Sequence, residues 1–164
     1  MNELLNKLSS YNIFNYLLPG AVFSVVADRI SLLSSPDEII TRLIWYYFVG
    51  MVISRLGSIV VEPALKWARF VRYSDYNSFL IACDQDRKLD VMVEVSNTYR
   101  TLATAFLVLI VGIAYQSLAE ESGVSDVWRE RIAIILLLAL FLSSFRKQVN
   151  FIRKRVDRAT KGGK

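Results

Sequence analysis

The chain has 164 residues, 54% of them hydrophobic and 21% charged, with 20 basic against 15 acidic side chains for a net charge of +5. That is too apolar for a soluble domain of this length, and the length leaves little room for a globular domain beside several membrane spans. With no histidine and one cysteine, Cys83, the composition excludes histidine-held haem, cysteine-pair redox exchange within the chain, the commonest zinc and copper ligands, and nucleophiles that depend on a histidine base.

Residues 1–12 place Leu4, Leu5 and Leu8 on one helical face, which suits a short helix lying on a membrane surface. Lys7 and the apolar run after Tyr11 also fit a signal peptide. No small-residue cleavage site follows cleanly, so the segment is read as retained. The first span is expected over 13–33, with Pro19-Gly20 as a kink or as a hinge after an interfacial helix. Ser35, Pro36 and Glu38 then predict a capping box that starts a second span over 39–61. Trp45, Tyr46, Tyr47 and Phe48 gather toward that end, in keeping with an interfacial aromatic belt.

The interval 62–100 is the longest polar section. Lys66, Arg69 and Arg72 alternate with Trp67, Phe70 and Tyr73, as in a helix leaving a membrane through the headgroups. Ser74-Asp75 offers a cap for a short helix, and a further helix is expected from about Arg87 straight into a third span over 101–118. A piece below about 40 residues rarely folds alone, so this section must pack on itself, on the membrane or on a partner. An acidic loop in which Ser125 offers a cap leads to a fourth span over 127–145, and a basic tail occupies 146–164.

The basic residues concentrate in 62–100, with six, and in the tail, with eight, and Lys7 precedes the first span, which places both termini and the middle section on the cytoplasmic side. The expected fold is therefore an all-α, polytopic membrane protein. It has four transmembrane helices, a cytoplasmic helical section between spans two and three, and a bacterial inner membrane as its location.

Arg55 stands inside the second apolar run, where burying a guanidinium costs about 2.5 kcal/mol or more. At 1.5 Å per residue it lies about 9 Å from Val61, a height that Asn15 and Tyr16 of the first span should share. Arg55, Asn15 and Tyr16 thus form a candidate intramembrane cluster for an anionic group or a watery vestibule, with snorkelling of Arg55 to lipid phosphates as the alternative. Small residues at four-residue spacing, Gly50, Ser54 and Ser58 in the second span and Gly20 and Ser24 in the first, mark expected helix contacts. Ala139 and Ser143 do the same in the fourth. No carboxylate occupies a span centre, which argues against proton-coupled export.

In the tail, Arg146, Lys147, Arg153, Lys154 and Arg155 are interleaved with apolar residues. Adjacency to a span makes anionic lipid headgroups the expected partner in preference to nucleic acid. Asp84, Asp86, Asp90 and Glu94 read as a solvated helix face rather than a divalent-metal site, and Cys83 has no neighbours that would activate it. No metal or other cofactor is expected.

Asn15-Tyr16-Leu17-Leu18-Pro19-Gly20, Tyr76-x-x-Phe79 and Asn97-Thr98-Tyr99-Arg100-Thr101 resemble features of small uncharacterised four-span bacterial inner-membrane proteins. Some of those are similar to membrane components carried beside phage-defence modules. The resemblance implies a defence role and no catalytic residues. The expectation is a non-enzymatic component that forms homo-oligomers and either perturbs the membrane or anchors a cytosolic protein partner. A transporter or channel subunit handling a small anion and a lipid-modifying enzyme are the alternatives.

Overall fold

The computed structural model describes residues 13–86, 88–122 and 126–161; the predicted surface helix over 1–12 and the cap at Ser125 lie outside them. The chain is all-α, 86% helical, without strands among the described residues. A π-helical turn, Ile13–Leu17, leads into α1, Leu18–Arg29. Then α2, Ile39–Leu56, passes through a second π turn, Gly57–Val61, into α3, Glu62–Trp67. The remaining helices are α4, Tyr76–Gln85, α5, Lys88–Ser122, and α6, Asp126–Lys161. By contacts the chain divides into two units, Met1–Gly123 and Val124–Lys164.

Among the described residues three helical stretches are long and apolar enough to cross a membrane: Ile39–Trp67, Lys88–Gln116 and Arg131–Lys154. The first predicted span, 13–33, is helical only to Arg29. At 1.5 Å per residue it reaches about 25 Å, short of the roughly 30 Å of a hydrocarbon core.

Both π turns end two residues before a proline, Pro19 or Pro63. A proline in a helix lacks the N–H that would meet the carbonyl four residues back, and its ring presses on that carbonyl. Widening the preceding turn relieves the clash, and the N–H of Glu62 donates instead to the Gly57 carbonyl, five residues back. Pro63 therefore lies inside the second long helix, beyond the 39–61 bound expected for the span. The helix runs on to Trp67.

The turns at helix ends also differ from expectation. α2 starts at Ile39 with extended Glu38 before it, and no capping box forms through Ser35, whose hydroxyl is buried without a partner. The Thr41 hydroxyl donates to the Glu38 carboxylate, and the Arg42 guanidinium ties down the carbonyls of Pro36 and Asp37. α1 and α3 each end in a residue with positive φ, Ser31 at 56° and Arg69 at 59°. In each the next N–H, of Leu32 or Phe70, returns to a carbonyl five residues back, of Ala27 or Leu65, the Schellman pattern. The predicted cap of α4 forms: Asp75 accepts from the N–H groups of Asn77 and Ser78.

In the first unit, α1, α2 and α5 share one core of Phe23, Ala27, Val49, Ile53, Ala105 and Leu109, with Trp45 packed against it. Trp45 thus faces the helix seam. Gly20 and Gly50 mark the crossing of α1 and α2, where a Cβ on either would overlap the carbonyl oxygen of Tyr46 or Tyr16. Ser24 and Ser54 are buried beside it. Thr98 is level with Asn15, and Gln116 donates to the Ser31 carbonyl while Leu32 sits against Gly112. These two ties show that α1 runs parallel to α5, level with its residues 98–116. α2 runs antiparallel to both, since Arg55 meets Tyr16 and Gly57 meets Thr104.

The second unit is α6, one continuous helix of 36 residues. The predicted tail is its C-terminal continuation, helical to Lys161. At 1.5 Å per residue α6 is about 54 Å long, well beyond the thickness of a hydrocarbon core.

Candidate functional site

One end of the seam between α1, α2–α3 and α5 gathers the polar residues of the first unit. The π turn before Pro19 carries Asn15 and Tyr16 to it, and the second π turn separates Arg55 from Glu62. In an unbroken α-helix, residues seven apart face the same way. A wider turn between them rotates the remainder of the helix by roughly a quarter turn, at about 100° for each inserted residue. Arg55 accordingly meets α1 while Glu62 meets α5.

Arg55 is half-buried, and its Nη2 donates to the Tyr16 hydroxyl at 3.2 Å. The Tyr16 ring stands edge-on to Tyr47 with centroids 5.6 Å apart, which fixes the hydroxyl under the guanidinium. Among the described residues no carboxylate lies within ion-pairing distance of Arg55. The Tyr16 oxygen accepts from Arg55, so its own proton stays available. Arg55 and Tyr16 together present donors to an oxyanion.

Asn15 is buried, but it joins a different partner: the Thr98 hydroxyl donates to its Oδ1 at 2.7 Å and also lies 3.1 Å from the Glu94 carbonyl. Of the predicted trio the structure brings Arg55 and Tyr16 into contact and gives Asn15 to α5. The next turns of α5 are lined with threonine. Thr101 and Thr104 are fully buried and return their hydroxyl protons to the carbonyls of Asn97 and Arg100. Thr104 also abuts Gly57, where a Cβ would come within 2.7 Å of its hydroxyl oxygen.

The strongest electrostatic feature was not among the predicted site residues. Glu62, 9% exposed, holds Arg100 Nη1 at 2.7 Å with one carboxylate oxygen and Lys66 Nζ at 2.8 Å with the other. Lys66 also stands 4.1 Å over the Tyr73 ring. The sequence signal was present: Glu62 and Lys66 are spaced i, i+4, and Arg100 adjoins the apolar run of α5. Bounding the second span at Val61 and the third at Thr101 hid it, because Glu62 and Arg100 then fell just outside the apolar runs, on separate helices.

The remaining predicted residues lie elsewhere. Gly20, Ser24, Gly50 and Ser54 occupy the helix crossing, and Ser58 is half-buried in the second π turn. Ser143, Arg146, Lys147, Asn150, Phe151 and Lys154 border a shallow groove formed by α6 alone, with Arg153 exposed on the same helix. The backbone of Arg155 is helical there, and its side chain lies outside the described residues. Asp86 accepts the Lys88 N–H at the start of α5, so one of the acidic group serves a helix end. Among the described residues no three of His, Cys, Asp and Glu gather as metal ligands.

No protein-family model, curated protein or solved structure matches the chain.

Proposed function

We propose that the protein is a non-enzymatic bacterial inner-membrane component that assembles with copies of itself and perturbs the membrane or holds a cytosolic partner there, in a phage-defence setting. The observation that carries this reading is the mutual engagement of the polar residues in the seam. Asn15 is engaged by Thr98, Glu62 by Arg100 and Lys66, and Thr101 and Thr104 by their own helix. The Asn15–Thr98 and Glu62–Arg100 contacts clamp helices together, and the threonine hydroxyls are taken up by their own helix rather than offered as nucleophiles.

The reading takes α1 as a fourth crossing. Its support is that Asn15 and Ser31, on either side of α1, are level with Thr98 and Gln116, which bracket the apolar stretch of α5. Both termini and α4 are then cytoplasmic by the positive-inside rule, and Arg146 and Lys147 meet the inner headgroups.

Entry of a membrane-impermeant dye into cells carrying the gene with its native neighbours, after phage challenge, tests the membrane-perturbing form. Wild type admits dye and Arg55→Leu admits less. Dye exclusion by both, together with no cytosolic protein retained on wild-type membranes, overturns the reading. A second reading, a channel or transporter subunit for a small anion, is favoured by one feature, the neutral partner of Arg55. Anion flux in proteoliposomes that falls with Arg55→Gln selects it, and flux that is absent or unchanged removes it.

A further inference from the structure

α6 carries a regular apolar stripe that continues past the point where a membrane could require one. Ile135, Leu138 and Leu142 begin it, and Phe145, Val149, Ile152 and Val156 extend it, at alternating spacings of three and four residues. All of these side chains are exposed, Val149 at 43% and Ile152 at 55%. Within hydrocarbon such a pattern carries little information, because lipid accepts an apolar residue on any face. From Arg146 onward the surroundings are basic and polar, and there the apolar side chains still fall mainly on this one face.

A spacing of three and four is the a and d pattern of a left-handed coiled coil. Lipid does not account for its outer part. α6 is one continuous helix, so if it spans the membrane through its apolar half, the next turns lead away from the bilayer surface.

We infer that this face of α6 is the seam along which copies of the chain associate in parallel, from the inner half of the membrane into the cytoplasm. Copies inserted with one topology necessarily present α6 in the same direction, and that register avoids like-charge pairs at the flanking positions. With Val149 at a, the flanking positions that face each other across a parallel pair are Phe141 with Arg146 and Gln148 with Arg153 of the second copy. Neither pairing brings like charges together. Lys147 and Lys154 fall at the f position, the outermost one, where cations are solvated.

The inference rests on the proposal that copies share a membrane and names the surface they use. The single native cysteine makes the test direct. In a Cys83→Ser background, one cysteine is introduced at position 149, 152, 147 or 154 of the full chain, and native membranes are oxidised. Disulfide-linked dimers are expected at 149 and 152 in severalfold excess over 147 and 154. Equal linking at all four positions, or none at 149 and 152, overturns the inference. Light scattering of the wild-type chain in nanodiscs separates the two levels. An oligomer with no link at 149 and 152 removes this seam alone, and a single chain removes self-assembly as well. Ile152→Glu is expected to lower the oligomer mass while Lys154→Glu leaves it unchanged; equal masses for both variants also overturn the seam.

Discussion

Glu62 and Arg100 show why a charge close to an apolar helix is safe only with its partner in place. Both carboxylate oxygens are engaged, and the Glu62 and Arg100 side chains are 11% and 20% exposed. Removing one member of a buried pair leaves the other desolvated and uncompensated, at a cost of about 3 kcal/mol for pairs of this kind. Arg100→Leu should therefore lower the thermal transition of detergent-solubilised protein strongly. The double substitution Glu62→Leu with Arg100→Leu should recover most of the loss, because apolar replacement of both partners is often close to neutral. Melting curves of the two variants against wild type check this; a double variant as unstable as the single one would show that the pair is not the source of the effect. Arg55 differs in kind, since its partner is a neutral hydroxyl.

Among the elements, the proline-associated π turns and the Schellman ends decide the geometry. Gly20 and Gly50 let two backbones touch, and the π turns on either side of that crossing orient Tyr16 and Glu62. The Schellman ends are reached without glycine, although a side chain at positive φ is unfavourable. Ser31→Gly and Arg69→Gly should each stabilise the chain by roughly 0.5–1 kcal/mol, since glycine adopts this conformation freely. A small rise in the detergent melting temperature is the expected signature for each. Arg69→Pro should lower it sharply, because proline fixes φ near −65° and the Arg69 N–H now donates to the Lys66 carbonyl.

For the whole molecule, the testable quantity is sidedness. Cys83 lies in α4, between the two longest apolar stretches of the first unit. The proposed four-span arrangement puts α4 in the cytoplasm, so a membrane-impermeant maleimide should leave Cys83 unlabelled in intact spheroplasts and label it in inside-out vesicles. Labelling in spheroplasts would invert the topology or change the number of crossings. The all-α class and three of the four apolar stretches follow from composition and run length alone. The predicted span 13–33 is the one whose helix proved shortest, because Schellman closure at Ser31 ends it early.

By itself the sequence determined that the chain is helical, where its long apolar helices lie, that Asp75 caps α4, and that no histidine chemistry exists. Those properties depend on side-chain type, run length and local hydrogen bonding, all of which are additive along a chain. Only the tertiary structure decided that Pro63 lies inside a helix, that Arg55 turns to Tyr16 while Asn15 turns to Thr98, and that Glu62 reaches across to Arg100. Each depends on the rotation imposed by a single widened turn and on how closely two glycines let their helices approach. Neither quantity is carried by the identity of any one residue.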